Sequence, residues 1–217
     1  PLSWGLKAVE DCDDYVNAVL TLKKEGYPVK LGIEIDFTLG IETELDNFIN
    51  SYPWDYVIGA VHFIDEWGFD RPDQEYIWHK KNITEAYRRY FSLFRAAAKT
   101  QLFDIMAHPD VIKVFGFQPK GPLWAEYESC AEVLRESGVC FEISTAGLRK
   151  PVGEMYPAPE FTSILAQANL PAVISSDAHC PEDVGDNFPR AYRYANQHGV
   201  RHLARFTKRK RTLLPLK

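Results

Sequence analysis

The chain has 217 residues, 46% of them hydrophobic, which is enough for one sizeable core and favours a single domain spanning residues 1–217. A formal net charge of -5 and a pI of about 5.7 give no broad electrostatic footprint for nucleic acid. No apolar stretch approaches the roughly 20 residues that cross a bilayer and no signal-peptide pattern is present, so no membrane role is expected.

Along the chain, Tyr15, Ala18, Val19 and Leu22 recur at helical spacing within Asp11 to Lys24, and Gly26 ends that helix. Val29 to Ile35 reads as a strand, Ile41 to Ile49 as a helix and Tyr56 to His62 as the next strand. A long loop from Ile64 to Gln74 carries Trp67, Asp70, Arg71 and Pro72; its Trp67 to Pro72 stretch can form a pocket wall or simply pack on the rest of the fold. Thr84 to Lys99 is a helix with Ala86, Tyr87, Tyr90, Phe91, Phe94 and Ala97 on one face. Then follow a strand at Phe103 to Ala107, a helix at Trp124 to Glu136 stopped by Gly138, and a strand at Val139 to Ile143. A helix at Phe161 to Ala168, a strand at Ala172 to Ser175, a helix at Pro181 to Gln197 and strand-like sequence from Val200 to Leu214 complete the pattern. This alternation, without repeats or low-complexity tracts, predicts a parallel α/β architecture with its site at the C-terminal strand ends.

Four apolar runs end in potential ligands: Leu31 to Glu34, Ile58 to His62, Phe103 to His108, and Ala172 through Asp177 to His179. Asp177 and His179, two residues apart, share one side of an extended chain. Each residue also has a plainer reading. Glu34 can be an edge residue, His62 a core histidine, His108 a turn residue before Pro109, and Asp177 a helix cap. An unpaired carboxylate in the Glu34 strand would be costly, however, and a metal is one way to stabilise it. Taken together, Glu34, His62, His108, Asp177 and His179 predict a metal site at successive strand tips, with Glu34, His108, Asp177 and His179 as catalytic candidates. Such ligands suit zinc, manganese and iron alike.

Cys12, Cys130, Cys140 and Cys180 are scattered, which argues against a zinc knuckle or disulfide framework and for a cytoplasmic compartment. The basic run Lys208 to Arg211 reads as a solvated face or hairpin turn rather than a nucleic-acid patch.

Several stretches carry a family resemblance: Gly32-Ile33-Glu34, Ala60-Val61-His62-Phe63, Ala107-His108-Pro109-Asp110, Phe141-Glu142-Ile143-Ser144-Thr145-Ala146-Gly147-Leu148-Arg149-Lys150-Pro151, and Ser176-Asp177-Ala178-His179 followed by Pro181-Glu182-Asp183-Val184-Gly185. By these the chain resembles the PHP (polymerase and histidinol phosphatase) superfamily, in its histidinol-phosphate phosphatase branch, over almost its whole length. The resemblance implies a distorted (β/α)7 TIM-like barrel with up to three divalent metals. It implies that Glu34 bridges two metals, that His62 and His108 complete one site, and that Asp177 and His179 serve the others. It also implies a phosphate contact at Arg149, with Lys150 beside it, although a solvated loop is the alternative for both.

Two departures accompany the resemblance. The family's opening Asp-x-His-x-His and its Thr-Glu-His or Thr-Asp-His strand tip are not found, and no histidine precedes His62. The barrel is therefore expected to lack its first strands, leaving an edge through which chains can associate. Cys180 stands where histidinol phosphatases often carry an arginine that helps grip phosphate. The resemblance implies hydrolysis of a small-molecule phosphate ester, L-histidinol phosphate foremost, to the alcohol and phosphate in histidine biosynthesis. The alternatives are another phosphate ester, or an inactive fragment or binding module.

Overall fold

The computed structural model of the protein describes residues 12–216. Its first helix, α1 (Cys12–Lys24), carries Asp13 and Asp14 in the first turn and Lys23 and Lys24 in the last, the arrangement that complements a helix dipole. Strand β1 (Gly32–Asp36), helix α2 (Glu42–Asn50) and strand β2 (Tyr56–Ala60) follow. A short hairpin, β3 (Phe63–Ile64) with β4 (Trp67–Gly68), leads through a 3-10 segment at Pro72–Lys80 into α3 (Ile83–Lys99). The chain continues as β5 (Ile105–Met106), α4 (Trp124–Ser137), β6 (Cys140–Ser144), α5 (Pro159–Gln167) and β7 (Ala172–Ser175). Helix α6 (Phe188–Gln197) and strands β8 (His202–Thr207) and β9 (Lys210–Pro215) end it.

Seven strands form one sheet in the order β1-β2-β5-β6-β7-β8-β9. Every neighbouring pair from β1 to β8 is parallel, and only β8 with β9 is antiparallel. The C-terminal ends of β1, β2, β5, β6 and β7 therefore open on the same side, where the α/β rule puts the chemistry. Among the described strands no pairing joins β9 to β1.

Local chemistry explains two of the helix ends. The Asn82 side chain caps α3 by accepting from the Glu85 N–H at 3.2 Å. Gly138, at φ 71°, closes α4 in the left-handed conformation that a Cβ would disfavour. The apolar face of α3 buries Tyr87, Tyr90, Phe91 and Phe94. Phe91 then meets Phe161 of α5 edge-on, with ring centroids 5.9 Å apart, and Phe161 stacks on Tyr127 of α4 at 4.3 Å. Within β2, Gly59 is required by close packing: a Cβ there would lie 2.5 Å from the Phe103 ring.

Most expected elements are found within a few residues of the expected ends; the Asp11 start of the first helix lies outside the described residues. Three segments differ. The 64–74 loop is partly taken up by the β3–β4 hairpin, which starts at Phe63 and has two residues per strand. The helix expected over 181–197 is instead a 3-10 turn at Pro181–Asp183 and a separate helix from Phe188. Gly185 at φ 75° and Asn187 at φ 57° reverse the backbone between them, and Pro189 then starts α6. The strand-like 200–214 tract is a hairpin whose turn places Lys208 and Arg209 at φ 50° and 59°. In that turn Arg209 donates from Nε to Asp104 at 2.9 Å and from Nη2 to the Leu102 carbonyl at 2.6 Å. Arg211 donates to the Gly138 carbonyl at 2.8 Å. Two arginines of the basic run thus tie the final hairpin to the rest of the sheet.

Candidate active site

Strand β1 alternates, so Glu34 and Asp36 lie on one side of it. The parallel register sets Asp36 opposite Ala60, and the chain leaving β2 brings His62 back over it. Both the His62 backbone N–H and its Nδ1 address Asp36 Oδ1, at 3.2 and 2.7 Å. A carboxylate accepts, so Nδ1 carries the proton and Nε2 is left with its lone pair. Next in the sheet, β5 delivers His108 two residues past its end. Beneath it, the buried Glu142 of β6 accepts the His108 backbone N–H at 2.6 Å.

These supports bring three ligands together, one carboxylate and two imidazoles. His62 Nε2 stands 3.2 Å from His108 Nε2, and Glu34 Oε1 stands 3.8 Å from the first and 3.6 Å from the second. Glu34, His62 and His108 are the one group among the described residues whose donor atoms converge in this way, all within 4.8 Å. With zinc–ligand bonds of about 2.0–2.2 Å, adjacent ligands of a tetrahedron lie about 3.4 Å apart, so the three observed separations fit a shared divalent ion. The two imidazole nitrogens at 3.2 Å are at hydrogen-bonding distance without metal, a separation that two ligands of one ion also take.

Electrostatics follow from the same geometry. Burial alone would raise the Glu34 carboxyl, but the hydrogen bond from His108 and the nearby imidazoles outweigh it and hold it down at about 2. Burial would lower His108, but the Glu34 carboxylate overrides that and pushes it up to about 10. Burial likewise opposes charge on His62, and Asp36 wins there, raising it. Burial pushes the Glu142 carboxyl up. His108 Nδ1 and the Tyr156 hydroxyl are buried and make no hydrogen bond.

The other expected site residues are distributed around a cavity of about 320 Å³ that also contains Glu34, His62 and His108. Asp177 and His179 line it, but not as an extended pair: β7 ends at Ser175 and Asp177 takes φ 46°. The His179 side chain is 84% exposed, its Nδ1 lying 3.1 Å from the Asp177 carbonyl. Lys150 also lines the cavity. Arg149 stands behind the Asp177 turn, donating to the Ser176 carbonyl at 2.6 Å and pairing with Asp183 and Asp186 at 3.3 Å each. Asp36 and Glu142 were not among the expected site residues, although period two from Glu34 points to the first and a carboxylate inside an apolar strand points to the second.

Comparison with known proteins gives a consistent result. A protein of Deinococcus radiodurans named "Probable histidinol-phosphatase" is 35% identical over 201 residues, covering 91% of this chain and 76% of that protein. The "Histidinol-phosphatase" of Bacillus subtilis is 26% identical, covering 85% and 77%. The fold matches the crystal structure of a histidinol phosphate phosphatase from Lactococcus lactis, complexed with zinc, L-histidinol and phosphate, with a TM-score of 0.74 at 19% identity over 95% of this chain and 80% of that one. A structure from Listeria monocytogenes described as a putative histidinol phosphatase matches with a TM-score of 0.70 at 20% identity, over 84% and 76%. The PHP domain family matches residues 7–146, and with these relatives the chain belongs to that family, on its histidinol-phosphatase branch.

Proposed function

We propose that the chain is a metal-dependent phosphate monoester hydrolase acting on L-histidinol phosphate, releasing L-histidinol and phosphate. The observation that carries this reading is the convergence of Glu34 on β1 with His62 and His108, two residues past the ends of the parallel strands β2 and β5, within a chain 35% identical to a protein named "Probable histidinol-phosphatase".

Glu34, His62 and His108 would hold a divalent metal; when bound, it supplies a water of lowered pKa and positive charge for the phosphoryl oxygens. Asp36 keeps the proton of His62 on Nδ1 and aims Nε2 at the ion. Glu142 fixes the backbone that presents His108. Asp177 and His179, on the rim of the same cavity, are proposed as ligands of further ions, up to three in all, with zinc, manganese and iron each compatible with these donors. Lys150 is proposed to serve the phosphate from the cavity wall, and Arg149 to serve it indirectly, by holding the Asp177 turn through Ser176, Asp183 and Asp186.

Four free cysteines support a reducing, cytoplasmic setting. Among the described residues no helix is long and apolar enough to cross a membrane. One observation favours a second reading: Cys180 is exposed and cannot grip an anion as an arginine does, which leaves room for a different ester. A panel of phosphate monoesters separates the two. The proposal expects the highest kcat/KM for L-histidinol phosphate, and a clear preference for another ester would replace it.

A further inference from the structure

The cavity poses an electrostatic problem for an anionic substrate. Glu34, Asp36, Asp70 and Asp177 all line it, and among the described residues the permanently cationic side chains lining it are Arg71 and Lys150. A phosphate dianion approaching these carboxylates needs fixed positive charge besides any metal.

Resting on the phosphatase reading, we infer that Arg71 is a phosphate-binding residue, closing on the substrate from the β2 side of the cavity while Lys150 acts from the β6 side. The two walls are distinct, because β5 separates β2 from β6 in the sheet. Arg71 is also held in place. Its backbone N–H donates to the Gly68 carbonyl at 3.2 Å, and its own carbonyl accepts from Gln74 at 2.9 Å. Pro72 follows with a fixed φ, and Gln74 Oε1 accepts from Gly68 at 3.1 Å. Asp73 takes the guanidinium edge at Nε and Nη2, both at 3.1 Å, which sets the plane of the fork. The Asp73 side chain is 64% exposed, so this pair is a weak surface interaction that a dianion can compete with or share. A planar fork of this kind matches two phosphoryl oxygens at once.

The test compares wild type, Arg71→Ala and Arg71→Lys, each loaded with metal and checked for metal per chain. The readouts are KM and kcat for L-histidinol phosphate and the binding of inorganic phosphate by calorimetry. Losing a charge-assisted contact should weaken phosphate binding and raise KM about 10- to 100-fold in Arg71→Ala. Metal content should stay unchanged, and Arg71→Lys should recover part of the loss. An active wild type with unaltered KM and phosphate affinity in Arg71→Ala overturns the role of Arg71 and leaves the phosphatase reading intact. A wild type that hydrolyses no phosphate ester overturns that reading and this inference with it.

Discussion

Asp36 Oδ1 lies 2.7 Å from His62 Nδ1, on the side of the ring away from the Nε2 that faces Glu34 and His108. One carboxylate thereby sets both the tautomer and the aim of a candidate metal ligand. Replacing Asp36 with Asn removes the charge that favours this tautomer while keeping the size. Metal affinity should fall about 10- to 100-fold, as measured by competition with a chromogenic chelator. Equal affinity in wild type and variant would show that His62 needs no such support.

His108→Ala removes one of the three converging ligands and leaves Glu142 with the same backbone N–H to accept. The variant should fold, as read by circular dichroism, yet bind less metal per chain and lose most phosphate release. Unchanged turnover would exclude His108 from the site.

In metal-free protein the Glu34–His108 pair should add a stabilising component confined to a pH window. The Glu34 carboxyl is held down at about 2 against an ordinary 4.5, so its contribution is present above pH 4.5 and is lost as pH falls through 2. His108 is pushed up to about 10 from 6.5, so its contribution is full below pH 6.5 and is lost as pH rises through 10. Both are whole between pH 4.5 and 6.5. Denaturant melts of chelated protein should show this pair's effect waning on either side of that window, and in Glu34→Gln that component of the pH dependence should shrink. Metal must also displace the His108 proton, so loading near neutral pH should release protons into the buffer.

Arg149 joins the turn carrying Asp177 to the strand β6 side of the sheet through Ser176, Asp183 and Asp186. Arg149→Ala should lower kcat and loosen any ion held by Asp177, while the ion at Glu34, His62 and His108 remains. Metal counting together with kinetics tests this; full metal content and unchanged kcat would make the clasp merely structural.

Arg209 is a fold element rather than a ligand-binding cation, since its guanidinium is committed to Asp104 and the Leu102 carbonyl. Arg209→Ala should cost about 1–3 kcal/mol in denaturant unfolding, with kcat/KM preserved. A variant as stable as wild type would contradict that assignment.

The candidate ligands were legible in the sequence for a physical reason. A charged or imidazole group at the end of an apolar run, as at Glu34, His62 and His108, conflicts with burial unless something compensates it. Asp36 was harder to read, because a carboxylate leaving a strand is ordinary and its partner lies 26 residues away. Glu142 was hidden similarly, its hydrogen-bond partner being the backbone of residue 108. The β3–β4 hairpin has too few residues to show a period of two, and the 181–197 helix failed at two left-handed residues, Gly185 and Asn187. Arg149 was expected at phosphate from resemblance, but only the folded turn reveals its bonds to residues 27 to 37 positions along.

The decisive measurement is metal-dependent turnover. The protein is stripped with chelator, then titrated with zinc, manganese or iron(II) while phosphate release from L-histidinol phosphate is followed. Stripped protein should release no phosphate, and activity should rise with metal per chain. Failure to release phosphate at any metal loading, with metal bound and the fold intact, would contradict the phosphatase reading.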